Sequence, residues 1–285
     1  MSIYLFQILN GVGLGMIYFL LSIGLTIIFG LLNFVNFAHG AFFLLGAYLC
    51  AQVHIMTGNF WLSLLLAPLA VGFLAWLVEK LLLHRTYHLP HMYQILVTLG
   101  LALIIQESSI IFWGPVGKNV PTPEVLQGAV TLGSFAYPWY RLFVIVLALV
   151  VALILWILLE KTKFGALIRA GSENTEMVSL LGVNIFKLFS VTFGLGAVLA
   201  GMAGVLVAPL RGAEPFMGTE ALGIGFVVVV VGGMGSFVGA LVGGILIGIV
   251  QSLASSLWPQ GANIMIYGAM ALVILLRPYG LFGRA

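Results

Sequence analysis

Apolar runs separated by short polar clusters fill almost the whole chain, at 3–31, 37–56, 60–83, 95–113, 141–159, 188–208, 222–250 and 263–276. All but the last approach or exceed the roughly 20 residues that an α-helix needs to cross a hydrocarbon core of about 30 Å. The pattern predicts an all-α, polytopic transmembrane helical bundle with broken or re-entrant helices, forming one membrane domain over 1–285. The opening residues MSIYLFQILNGVGLG carry no basic stretch before the apolar run, so they read as the first span and not as a removable signal peptide. Two places interrupt the apolar pattern without providing a loop. Residues 30–40 (GLLNFVNFAHG) separate the first two runs, and Gly232, Gly233 and Gly235 break the seventh. Non-helical backbone at membrane depth is tolerated only where protein covers it or it lines a wet cavity, and interrupted segments in corresponding places are the best sequence pointer to a translocation path.

Charge gives these runs a direction. Lys80, Arg85, Lys161, Lys163, Arg169, Lys187, Arg277 and Arg284 fall in alternate connections, against Lys118, Arg141 and Arg211 on the other side. The excess of cations marks the cytoplasmic face, so the N-terminus is expected outside and the C-terminus in the cytoplasm. Two runs lie between Arg211, outside, and Arg277, inside. Parity therefore requires that the run 222–250 enter and leave by the outer face, with its glycine break at depth. The proline-containing connection 114–140 is expected to be an irregular outer loop.

Composition narrows the function. With 62% hydrophobic and 7% charged residues, against about 25% charged in a soluble domain, the chain cannot cover a water-facing surface, and its obligatory surroundings are a lipid bilayer. The net charge of +3 comes from loop cations and does not point to nucleic acid as a partner. Aspartate is absent, which excludes Ser/His/Asp chemistry, and the five histidines have no metal-site spacing, so neither a metal nor a cofactor is expected. No GxxxxGK(S/T) phosphate loop is present, so any ATP that drives the protein is hydrolysed by another chain. Cys50 lies alone in an apolar run and cannot form an intrachain disulfide. Small-residue spacings at Gly11 and Gly15, and at Gly235, Gly239, Gly243, Gly244 and Gly248, mark helix faces that pack closely.

Few polar side chains lie within the runs. Asn33, Asn36 and His39 cluster at the first break, where they serve either the open backbone groups or a passing solute. Gln106 and Glu107 sit in the fourth run, and Glu107 is the one carboxylate that could lie at membrane depth, the alternative being an outer-leaflet position near the interface. The candidate substrate pathway is therefore Asn33, Asn36, His39, Gln106, Glu107, Gly232, Gly233 and Gly235. The connection 160–187 is the most charged part of the chain. In it Ser172 or Asn174 can cap a short helix bearing Met177, Leu180 and Leu181, with Gly182 as its stop. An amphipathic helix held outside the bilayer between two spans suits a partner's groove.

The stretches GLTIIFGLLNFVNFAHG (24–40), LGAY (45–48), Arg169-Ala170 through LLGVN (180–184), Gly196-Ala197 through LAGMAG (199–204), and VVGGMGS (230–236) through Gly239-Ala240 together resemble the inner-membrane permease subunits of branched-chain amino-acid ABC importers. The resemblance covers nearly the whole chain. It implies a bacterial inner-membrane transporter subunit, not an enzyme, completed by a homologous second permease, two cytoplasmic ATP-binding subunits and a periplasmic substrate-binding protein. It also implies that Arg169, Glu173, Asn174, Glu176, Met177, Leu180, Leu181, Gly182 and Lys187 couple the permease to an ATPase. After 38–40 the family carries an acidic residue where this chain has Ala41. Urea and short-chain amide permeases look similar, and an ion-coupled carrier or channel working alone is the alternative from another class. Ion coupling commonly uses acids within the membrane, which this sequence scarcely has.

Overall fold

The structure, a computed structural model, describes residues 2–132 and 135–283; Arg284, one of the orienting cations, lies outside the described residues. Among the described residues eleven α-helices follow in order. They are α1 (Ser2–Leu32), α2 (His39–Thr57), α3 (Phe60–Leu81), α4 (His91–Trp113), α5 (Trp139–Lys161), α6 (Lys163–Glu173), α7 (Thr175–Leu180), α8 (Ile185–Arg211), α9 (Met217–Gly232), α10 (Phe237–Leu257) and α11 (Ala262–Leu276). Eight are long and apolar enough to cross a membrane, α11 when taken together with the 3-10 turn Pro259–Gly261 that leads into it; α9 is shorter and α6 and α7 are not of that kind. The chain is a polytopic helical bundle, as its apolar pattern predicts.

The connection 114–140 departs from the expected irregular loop. It contains an antiparallel hairpin of β1 (Ala129–Leu132) and β2 (Phe135–Pro138). Lys118 also exchanges backbone hydrogen bonds of 2.9 and 2.8 Å with Ala213, tying this connection to the one after α8. The prolines restrict pairing only where they stand, and Pro138 ends β2 as α5 begins.

Burial separates the inner from the outer helices. Among the most apolar windows, 78% of residues are buried in α1 and in α8, against 22% in α4 and α5. Thus α1 and α8 form the centre, and α4 and α5 turn apolar side chains such as Ile104, Ile111, Val146 and Leu153 outward. In lipid an outward Leu or Ile is already in its preferred solvent, so what draws the inner helices together is close backbone packing. The two flagged glycine spacings meet each other. Gly11 and Gly15 of α1 lie directly against Gly248 and Gly244 of α10, in antiparallel register, with no room at any of these contacts for a Cβ. In the same way α8 lies against α1 through Gly196 and Gly24, and against α2 through Gly201 and Gly46.

The run 222–250 is not one helix. It divides into α9 and α10 at a turn where Gly233 and Gly235 have φ of +104° and +79°, left-handed values that glycine adopts without steric cost. The C-terminal segment after α11 folds back onto this turn: Leu281 and Phe282 donate backbone N–H bonds of 2.9 Å to Val231 and Gly232.

Candidate translocation site and coupling segment

The first break follows directly from residue choice. Asn33 takes φ +56°, a conformation asparagine tolerates better than most residues, and its N–H closes α1 onto Phe29 at 2.9 Å. Asn36 is fully buried; its Oδ1 accepts from the Ala38 N–H at 3.1 Å, and its carbonyl accepts from the His39 N–H at 3.2 Å. His39, also fully buried, places Nε2 2.8 Å from the Leu21 carbonyl oxygen. A carbonyl only accepts, so Nε2 carries the proton in this arrangement. Asn36 thus satisfies the backbone of the break itself, whereas His39 ties the start of α2 to the middle of α1, and the Asn33 side chain is exposed. Asn36 Nδ2 and His39 Nδ1 are nevertheless buried with no hydrogen-bond partner in the structure, and buried polar atoms of that kind are the ones that need an explanation.

Both breaks end at the same level of α1. His39 reaches Leu21, and Phe237, which opens α10, packs its ring against Phe19 with centroids 5.7 Å apart. At 1.5 Å per residue this level is about 16–20 Å before the end of α1 at Leu32. Gly232 and Gly233 are covered there, the first by Gly239 of α10 and the second by Gly283, whereas Gly235 is exposed.

The fourth-run pair separates. Gln106 accepts a hydrogen bond of 3.2 Å from Thr219 and lines a cavity of about 270 Å³ with Phe37 of the first break, Ala41, Leu44, Gly218 and Leu222. Glu107 faces the exposed outside of the bundle. The carboxylate the chain does bury is Glu79, fully enclosed in the last turn of α3, where Oε1 accepts from the Tyr87 hydroxyl at 2.7 Å and Oε2 has no hydrogen-bond partner. Glu79 stands beside Lys80 at the end of an apolar run, and only the return of the chain after α3 brings Tyr87 over it. Burial, then the Glu79 carboxylate, push the Tyr87 hydroxyl well above the ordinary tyrosine range.

A second cavity, of about 200 Å³, lies among α1, α5, α8, α9 and α10. Arg141 and Arg211 line it, with Tyr18 donating to Gln251 across it. Arg211 Nη1 bonds both carboxylate oxygens of Glu220, at 3.0 and 3.2 Å. None of these five is marked by spacing in the sequence; Arg211 and Glu220 meet because α8 ends and α9 begins at the same end of the bundle.

In the connection 160–187, two helices stand where one was expected. Thr162 caps α6, accepting from the Gly165 N–H at 3.3 Å. Arg169 turns back from α6 to donate to the Leu159 carbonyl and lies 3.6 Å from Glu160. Asn174, and not Ser172, caps α7 by accepting from the Met177 N–H at 2.9 Å. Val178 faces inward, while Met177, Leu180 and Leu181 are 61%, 84% and 79% exposed. Glu173, Glu176 and Lys187 are exposed around them. Gly182 has φ +83° and closes the turn, its N–H bonding the Ser179 carbonyl at 2.9 Å. Asn184 then caps α8 by accepting from the Lys187 N–H at 2.9 Å.

A family profile described as branched-chain amino acid transport system / permease component matches residues 7–275, nearly the whole bundle. The chain belongs to this permease family. Among its relatives is the high-affinity branched-chain amino acid transport system permease protein LivH of Escherichia coli, 29% identical over 297 residues that cover 99% of this chain and 96% of the relative. BraD of Pseudomonas aeruginosa, with the same description, is 26% identical over 295 residues, again 99% and 96% of the two chains. LivM of Escherichia coli, another permease protein of such a system, is 28% identical over 295 residues, 94% of this chain and 68% of the relative. No solved structure matches the permease.

Proposed function

We propose that this permease forms half of the membrane path of an ATP-driven importer for branched-chain or related amino acids in the bacterial inner membrane, with its N-terminus outside and its C-terminus in the cytoplasm. A homologous second permease, two cytoplasmic ATP-binding subunits and a periplasmic binding protein complete the machine. The kinship to both LivH and LivM supports a paired assembly. The observation that carries the reading is α7: three large apolar side chains stand exposed on a short capped helix, on the face that the excess of loop cations assigns to the cytoplasm. Such a knob suits a cleft on an ATPase subunit, and its firm capping at both ends makes it a lever into α6 and α8. The path runs along the two breaks, with Asn33, Asn36, His39 and Gln106 on one side and the turn 232–235 on the other.

The test is the assembled complex with Leu180→Glu and, separately, Gly182→Val. A β-branched residue at φ +83° costs about 1–2 kcal/mol locally, enough to distort the turn while leaving membrane insertion intact. ATPase retention or substrate-stimulated hydrolysis should fall together with uptake in both variants. Normal assembly, stimulation and uptake in both would refute the coupling role.

A further inference from the structure

We propose that the turn between α3 and α4 (residues 82–90) holds the phosphate of an anionic phospholipid, in a cavity of about 330 Å³ that its side chains form with the start of α8. The inference goes beyond the importer reading and does not depend on it. Arg85, His84 and His88 give the cavity its cationic and N–H donor side, and Tyr87 and Phe186 its aromatic side; no carboxylate lines it. The Tyr87 and Phe186 rings stack 13° from parallel with centroids 6.3 Å apart, and the His84 ring lies 4.6 Å from that of Phe186.

The turn is held from within. Glu79, fully buried, accepts from the Tyr87 hydroxyl, and the buried Gln94 donates to the carbonyls of Thr86 and Leu89 at 2.9 and 3.4 Å. With the turn so anchored, the charged and titratable side chains left for the cavity are all basic, and none has an acid partner. Among the described residues the two ion pairs are Arg169–Glu160 and Arg211–Glu220, both elsewhere. A topology signal needs only a charge near the membrane, not a fixed turn or a cavity. The helix α4 begins at His91 without a side-chain cap, which adds the positive end of a 23-residue helix dipole to the same connection. Basic pockets between transmembrane helices on the cytoplasmic side take anionic lipid headgroups. A lipid suits the place better than a dissolved anion, because exposed apolar side chains run from the turn along one face of α3, from Leu81 to Leu77 and Phe73. A phosphate on Arg85 would lay its acyl chains on that strip. Lys80 stands over the Trp76 ring at 5.1 Å, an aromatic and cation pairing typical of the membrane interface, so the turn just beyond it lies at headgroup level.

The test is native mass spectrometry of the full-length permease in a neutral detergent, counting bound lipid as dioleoylphosphatidylglycerol or dioleoylphosphatidylcholine is added. The anionic lipid should bind at the lower concentration. Arg85→Gln should raise the phosphatidylglycerol concentration needed for half occupancy about tenfold or more, the loss of one charge-assisted contact, and Arg85→Lys should restore part of it. His84→Gln combined with His88→Gln should weaken binding in the same direction. Lys163→Gln removes the same charge from the exposed start of α6 and should change nothing. Arg85 is exposed, so its neutral variant should fold. Inorganic phosphate in large excess should leave the lipid in place; displacement by it would assign the cavity to a dissolved anion and overturn the lipid. Equal affinity for the two lipids, or equal weakening by Arg85→Gln and Lys163→Gln, would reduce the effect to bulk charge and overturn the site. Lipid binding unchanged in both the Arg85→Gln and the double histidine variants would overturn it too, and loss of ATP-binding subunits from those same variants would assign the turn to a protein contact instead.

Discussion

Substitution of one glycine should reveal how the centre of the bundle is held. A Cβ added at Gly248 of α10 would lie 2.3 Å from the Gly11 carbonyl oxygen and 2.4 Å from the Gly15 nitrogen, both backbone atoms of α1. A close carbon–oxygen contact is about 3.3 Å, so Gly248→Ala requires the two helices to part by about 1 Å. No side chain can rotate away to make room. Overpacking of that degree costs about 1–3 kcal/mol; the better helix propensity of alanine returns about 0.5–1 kcal/mol, leaving a net loss of up to about 2.5 kcal/mol. Gly268 of α11 is the control, because a Cβ there meets nothing within 4 Å, so Gly268→Ala should be neutral or stabilising by the propensity gain alone. The assay is unfolding of the detergent-solubilised protein by a denaturing surfactant, followed by tryptophan fluorescence. Gly248→Ala should shift the midpoint down and Gly268→Ala should leave it or raise it. Equal midpoints for the two variants would refute the view that backbone contact between α1 and α10 holds the bundle. A functional loss should accompany the shift, because the same pair of helices carries the Tyr18–Gln251 bond at the cavity.

Cysteine at Asn36, in a Cys50→Ala background, should be labelled by a water-soluble reagent in one nucleotide state of the assembled complex and protected by substrate; absence of labelling in every state would remove Asn36 from the path. Reporter tags inserted at Gln260, between α10 and α11, and at the C-terminus should read periplasmic and cytoplasmic respectively, and the same compartment for both would defeat the orientation. Tyr87→Phe should destabilise the protein by about 1–3 kcal/mol, because it strips the buried Glu79 of its hydrogen bond, and unchanged thermal unfolding would contradict this. Since the Tyr87 pKa is raised in the folded state above its ordinary 10.0, its contribution is complete below pH 10 and is lost as pH climbs through the raised value. The wild type should therefore lose more stability at strongly alkaline pH than Tyr87→Phe.

The sequence by itself determined the membrane class, the places of the long helices, the two breaks and the capped helix α7, because each rests on local physics: apolar length, asparagine and glycine at positive φ, and a side chain within reach of its own backbone. It also marked the glycine faces of α1 and α10, since small residues four apart share one side of any helix. It did not reveal that those two faces meet each other. Tertiary structure alone decided that, along with the burial of Glu79 and the exposure of Glu107, two acids in similarly apolar runs distinguished only by which helix side faces the bundle. The hairpin in 114–140 likewise depends on pairing between strands that no periodicity announces. The Arg211–Glu220 pair and the cavity beside it arise from the meeting of chain segments that loop charges, read one at a time, assign merely to an outer surface.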